Sequence, residues 1–171
     1  MTEAAAGLFS RYGTTSVSMA RVADEAGLTT AELREVFPAK RDLVAAVRQR
    51  GHVDWLAALA DSYADVPVPL DRVLAIFTFL GTQDDEPSAP ACLCTASGGA
   101  VAAEHVTQLH ALVGGLVSEA ELPSFLTDPL CLMIEGVITE GSVRGFMLPA
   151  RAGRTAAAML LAGYETDDFF S

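Results

Sequence analysis

Residues 16 to 43, SVSMARVADEAGLTTAELREVFPAKRDL, constrain the fold of this chain more than any other stretch. Ser18 to Glu25 reads as a short apolar-periodic helix that runs into Ala26-Gly27-Leu28, and a second short helix starts at Thr29-Thr30. Two helices joined by a turn of about three or four residues containing Gly form a helix-turn-helix. In its DNA-binding version the second helix enters the major groove. The rest of the chain then has to explain what controls the binding.

The net charge of −11 argues against nucleic acid, but its distribution does not. Residues 1–50 hold seven of the eleven basic residues (Arg11, Arg21, Arg34, Lys40, Arg41, Arg48, Arg50) and six of the 22 acidic ones, so that segment is near +1. Residues 51–171 are near −12. The asymmetry suits a DNA-facing end and an acidic end that DNA repels; an acidic surface that merely keeps the chain in solution suits it equally. Hydrophobic residues make up 51% and charged residues 19%, enough to bury a sizeable core. No run approaches the roughly 18 apolar residues of a membrane span. The start, MTEAAAGLFSRYG, carries Glu3 and too short an apolar run for a signal peptide. The expectation is a soluble cytoplasmic protein with no membrane partner.

Cys92, Cys94 and Cys131 are an odd number, and the spacing of the first two does not match a zinc site. They read as reduced, partly buried thiols, with a redox or electrophile sensor as the alternative. No metal or cofactor is expected.

Nearly every periodic segment is helical. Ala5, Leu8, Phe9 and Tyr12 share one face of a first helix that ends near Gly13, and Thr14, Thr15 and Ser16 offer cap hydroxyls to the next. Met19, Val22, Ala23 and Ala26, then Leu33 and Phe37, give the next two helices their inner faces. Pro38 stops the third. A longer helix is expected from about Lys40 to Tyr63, a loop at 66–70, and an amphipathic helix through Leu70, Val73, Leu74, Phe77 and Leu80. Residues 81–91 read as a loop, Cys92 to Ser97 as a short helix, and Val101 to Glu121 as a long one. Asp128-Pro129 reads as an N-cap followed by Pro at the first helical position. The helix that follows, about 129–147, is apolar on most of its circumference and ends at Leu148-Pro149; an alanine-rich one follows at 150–163. A helix apolar all round needs burial on two sides. The last two helices are therefore expected to place one face on the core and one on a partner subunit; a lid helix covering its neighbour is the alternative.

The string as a whole resembles the TetR family of transcriptional regulators. AAAGLFSRYG is similar to the family's first helix, TTSVSMARVADEAGLTTAEL to its helix-turn-helix, and VFPAKRDLVAAV to the Phe-x-x-Lys-x-x-Leu entry to its fourth helix, with Phe37, Lys40 and Leu43 in place. Beyond residue 50 the resemblance is architectural. It implies an all-α fold of about nine helices: a helix-turn-helix DNA-binding domain over 1–45, then a helical ligand-binding and dimerisation domain over 46–171. Four departures stand out. Arg34 replaces the family's usual phosphate-contacting tyrosine, and arginine can hold phosphate bidentately or reach a guanine edge. Ala39 replaces a small polar cap. Almost nothing precedes the first helix, where many relatives carry a basic arm. Glu32 and Glu35 make the recognition helix acidic, with Glu35 pointing outward.

The resemblance implies DNA contacts at Thr29, Thr30, Arg34 and Lys40, with Ser16 and Arg21 as weaker candidates. Thr29 is equally read as an ordinary N-cap, and the two roles coexist. Family pockets lie among the fifth to eighth helices, which points to Trp55, Tyr63, Phe77, Cys94, His105, Leu109, Met133 and Val137 around a largely apolar effector; core packing is the plainer reading of each. Polar groups in apolar runs are more telling: His105, His110, Glu135 and Glu140. Glu135 is open to a cationic ligand or to Arg144, and Glu140–Arg144 reads as an i, i+4 pair at the subunit interface. The leading function is a ligand-released homodimeric repressor on a palindromic operator. The alternative is a dimer of the same fold that binds a small molecule or protein without specific DNA binding. An enzyme is not expected, since no phosphate loop, metal-spaced His cluster or nucleophile elbow is present.

Overall fold

The computed structural model describes residues 1–83 and 100–164, with the backbone alone for 100–102. Among them the apolar periodicity is realised as eight α-helices and no strand: α1 (Thr2–Ser16), α2 (Met19–Glu25), α3 (Thr30–Val36), α4 (Lys40–Ala64), α5 (Pro69–Gly81), α6 (Ala100–Glu119), α7 (Thr127–Arg144) and α8 (Met147–Tyr164). A short 3-10 turn, Ser124–Leu126, precedes α7. Residues 84–91 of the loop expected at 81–91, and the short helix expected at Cys92 to Ser97, lie outside the described residues.

The first three helices share a small core of Ala5, Leu8, Phe9, Val17, Val22, Ala23 and Leu33, closed by Leu43 and Val47 from α4. One expectation for α1 is corrected. Tyr12 does not join the buried face; it is 47% exposed, and the Arg21 guanidinium lies 4.0 Å from its ring centroid. Stacking on an arginine keeps the ring partly covered without core space. Gly13 breaks the helix as expected, at φ 74° and ψ 151°, and a further short helical piece follows it to Ser16. The cap of α2 is Ser18, whose Oγ accepts from the Arg21 backbone N–H at 3.2 Å, rather than Thr14 to Ser16. Val17 decides this: its side chain is buried and its backbone extended, so the next helix starts beyond it.

The turn between α2 and α3 follows from Gly27. The Leu28 N–H donates to the Ala23 carbonyl at 2.8 Å and the Gly27 N–H to that of Asp24 at 3.1 Å. These two bonds make a Schellman turn, which needs a left-handed residue at the glycine position. Gly27 supplies it at φ 68°.

α4 belongs to two cores. Its 25 residues span about 37 Å. Leu43 and Val47 face the first cluster, whereas Trp55 and Leu59 enter a larger one built by α5, α6, α7 and α8. Ala39 has no capping side chain, but the Asp42 carboxylate accepts the Ala39 N–H at 2.8 Å and restores half of a capping box. In the larger core α8 packs on α5 and α7. A Cβ at Gly153 of α8 would lie 2.5 Å from Val137 Cγ2 and 3.0 Å from Phe77 Cδ1, so only glycine allows this approach.

The end of α7 also differs from expectation. Asp128 is not its N-cap: the 3-10 turn leads straight into Thr127 and no side chain caps the helix. The break before α8 is Gly145, at φ 89°, rather than Leu148-Pro149. Pro149 falls in the first turn of α8, where its missing N–H has no carbonyl to serve.

Candidate functional site

Two groups of residues carry chemistry, one around the start of α4 and one beside its middle. The first lies on the helix-turn-helix. Thr29 caps α3: its hydroxyl accepts the Glu32 N–H at 3.2 Å, while its own N–H and O–H reach Glu32 Oε2 at 2.8 and 2.7 Å. This capping box aligns the helix and holds the Glu32 carboxyl below its ordinary value, first through the Thr29 backbone N–H and then through its hydroxyl. The Thr29 hydroxyl is therefore already committed to Glu32. Thr30 and Arg34 follow on one face a turn apart, half-buried and exposed respectively. Among the described residues nothing pairs with Arg34. Glu35 is exposed, as its position opposite Leu33 required.

Ser16 and Arg21 are exposed at the end of α1 and on α2. Lys40 is brought beside Ser16: its ammonium donates to the Thr15 carbonyl at 3.2 Å, tying the start of α4 to the end of α1. An ammonium has three donors, so two remain. The structure thus gathers Ser16 with Lys40 and Thr30 with Arg34, and turns Arg21 onto Tyr12.

The second group is buried where α4 meets α6 and α7. Trp55, Phe77, Leu109 and Val137 are core residues of the larger cluster, and Tyr63 and Met133 pack against it. Burial raises the Tyr63 hydroxyl above its ordinary value, with Glu119 adding to the effect and Arg72 opposing it. Cys94 lies outside the described residues. His105 is fully buried, and it organises a polar chain. Its Nδ1 is 3.1 Å from His52 Nδ1, and its Nε2 is 3.1 Å from Glu135 Oε1. His52 Nε2 is 2.9 Å from Gln108 Oε1, and Gln108 Nε2 donates to Glu104 at 2.9 Å. Burial holds His52 below its ordinary value, and the Coulomb effect of His105 adds to this; the Gln108 hydrogen bond and Glu104 oppose it.

His52 and Gln108 were not among the sequence candidates. A signal existed: His52 lies three residues before Trp55 on the α4 stripe, and Gln108 three after His105 on α6. Glu135 does not meet Arg144 within the chain, because positions nine apart lie roughly 180° around a helix. Arg144 pairs with Glu140 on the exposed surface instead, as the i, i+4 spacing predicts. His110 faces Asp128 at 3.5 Å. Cys131 is buried and its thiol is pushed up to about 11, first by burial and then by Asp128 and Glu135, which keeps it protonated and unsuited to sensing. Cys92 lies outside the described residues.

α7 and α8 also present apolar side chains outward. Leu132 and Val143 on α7, and Leu148 and Met159 on α8, are exposed, Val143 at 85%. No helix among the described residues is long and apolar enough to cross a membrane.

Residues 2–47 match the family model of bacterial regulatory proteins, tetR family. No curated protein matches the chain. Solved structures similar to it include reduced NemR of E. coli (13% identity, 91% of this chain and 92% of that one, TM-score 0.75). A TetR transcriptional regulator of Chloroflexus aurantiacus is similar at 14% identity over 94% and 91%, TM-score 0.75. A regulator of Saccharomonospora viridis in complex with choline is similar at 16% identity over 94% and 93%, TM-score 0.71.

Proposed function

We propose that this chain is a TetR-family DNA-binding transcriptional regulator, a homodimeric repressor released from a palindromic operator by a small molecule. The observation that carries this is α3: a capped helix set by the Gly27 turn, with Thr30 and unpaired Arg34 on one face. Arg34 takes phosphate or a guanine edge, Thr30 and the N-terminal end of α3 approach phosphate, and Lys40 and Ser16 contact the backbone beside them. Arg21 adds charge from α2, and Thr29 acts chiefly by aligning α3.

A second copy covers the outward faces of α7 and α8, about 129–147 and 150–163. The exposed Leu132, Val143, Leu148 and Met159 are the contacts that favour it. Pairing two recognition helices suits half-sites one helical turn apart, about 34–36 Å. The DNA-binding unit comprises residues 1–45 and the effector domain residues 46–171, in a cytoplasmic regulator. The effector binds among Trp55, Tyr63, Phe77, Cys94, His105, Leu109, Met133 and Val137. It acts by preferring one spacing of the recognition helices, since equal affinity for both conformers shifts nothing. α4 is the lever because it belongs to both cores.

The test is a binding isotherm with the DNA flanking the chain's own gene. Two protomers per operator and a steep loss of affinity with salt are expected. Combining Thr30→Ala with Arg34→Ala should weaken operator binding by roughly 10- to 100-fold, the scale of one or two lost base or phosphate contacts. Unchanged affinity in the double variant removes these site assignments. Absence of binding to any DNA at low salt favours a small-molecule- or protein-binding dimer instead.

A further inference from the structure

Arg21 has two carboxylates within helical reach and pairs with neither. Asp24 and Glu25 stand three and four positions on along α2, the spacing at which an arginine ordinarily forms a surface ion pair. Its guanidinium instead lies over the Tyr12 ring, 4.0 Å from the centroid. Among the described residues no carboxylate pairs with it. A guanidinium that stacks uses its face and leaves the five N–H donors at its edge free. Arg21 therefore presents open donors on a side chain whose head already has a fixed place.

Both ends of this side chain are held. Arg21 is the third residue of α2, and its backbone N–H donates to the Ser18 cap at 3.2 Å. Tyr12 is the last residue before the Gly13 break, on a stretch of α1 anchored in the core by Leu8 and Phe9. Lys40 meets the same end of α1, where its ammonium donates to the Thr15 carbonyl at 3.2 Å. Two cations thus gather at the junction of α1 and α2, one on residue 12 and one on residue 15. In a helix-turn-helix the helix before the recognition helix crosses the DNA backbone, so the start of α2 is where phosphate is met.

We propose that Tyr12 is a positioning residue, whose ring holds Arg21 in place as a clamp for a DNA phosphate. This rests on the reading of residues 1–45 as a DNA-binding unit. The phosphate oxygens accept from the edge of the guanidinium, whose planar fork suits bidentate contact. Fixing the head beforehand removes part of the ordering cost that a free arginine meets on binding. The ring also keeps the guanidinium from being neutralised by Asp24 or Glu25 in a chain whose net charge is −11. A phosphate contact fixes register and adds affinity without reading bases.

The probes are two duplexes, the DNA flanking the chain's own gene and a random-sequence duplex of equal length, each titrated with the full chain over a range of salt. Arg21→Ala should weaken both by roughly tenfold, the scale of a hydrogen bond to a charged group. It should also lower the slope of log affinity against log salt by about one per protomer. Tyr12→Leu keeps the charge and removes the platform. It should weaken both duplexes about threefold, and should add nothing when Arg21 is already Ala. Tyr12→Phe keeps an aromatic face and should recover most of what Tyr12→Leu loses. Unfolding midpoints are measured alongside. Lowered midpoints with an unchanged salt slope mean a stack that only joins α1 to α2, and overturn the proposal. So does a Tyr12→Leu loss that is absent, or that persists in full without Arg21. Weakening confined to the own-gene duplex assigns Arg21 to a base edge and overturns the phosphate contact. If the unsubstituted chain binds neither duplex at low salt, the DNA-binding reading falls and this inference with it. If it binds both and the variants bind as it does, the inference alone falls.

Discussion

The two halves of the molecule handle polar groups and glycine in opposite ways. In the N-terminal unit the polar side chains that matter, Ser16, Arg34 and Glu35, are exposed, and Gly27 is needed for its backbone angle. In the second half the polar side chains that matter, His52 and His105, are buried, and Gly153 is needed because it lacks a side chain. The first arrangement suits a surface that meets a large charged partner. The second stabilises helix packing and places polar chemistry where water is excluded, so each hydrogen bond there counts for more.

Replacing glycine separates the two uses. Gly153→Ala should destabilise most, by about 1–3 kcal/mol, because the new methyl meets Val137 and Phe77 in a packed core. Denaturant unfolding measures it; an unchanged midpoint would mean that α8 can withdraw from α5 freely. Gly27→Ala should cost about 1–2 kcal/mol, since nothing blocks the methyl and only the left-handed backbone resists it. The second half offers a control. Glu121 occupies the same Schellman position after α6, at φ 55°, with Leu122 and Glu121 N–H groups donating to Val117 and Ser118. Glu121→Gly should therefore stabilise, by up to about 1 kcal/mol. Equal signs for the two substitutions would break the comparison.

The smallest effect is a pH slope. His52 is held below its ordinary value chiefly by burial. The unfolded ring therefore binds a proton at a pH where the folded ring does not. Its contribution is complete above the ordinary histidine value, about 6.5, and is lost as pH falls from there through the folded value. Unfolding free energy should decline between about pH 7 and pH 5, and the decline should be shallower in His52→Gln. Exposed Glu32 is also held low, but in the carboxylate range, so it does not act in this window.

The legibility of the sequence follows the same division. The helix-turn-helix could be read because its determinants are local: Gly27 for the turn, Thr29 with Glu32 for the cap, and Leu33 against Phe37 three and four residues on. Even there Val17 displaced the α2 cap by burying itself, and Tyr12 left the core for Arg21. Both depend on contacts between helices. In the second half the apolar stripes predicted the helices and most core residues. The break between α7 and α8 was misplaced, because a proline in a first turn and a proline ending a helix look alike in sequence.

Taken alone, the sequence determined the all-α class and the helix-turn-helix, and its first 47 residues carried the resemblance to the tetR family model, since each rests on features within a few turns. Tertiary structure alone decided that His52, His105, Gln108 and Glu135 form one chain, that the buried Trp55 N–H has no acceptor among the described residues, and that Glu135 meets His105 rather than Arg144. Those residues come from three helices up to 83 positions apart. No local periodicity encodes which buried polar group will face which; that is settled only when the helices pack and each donor must find its acceptor.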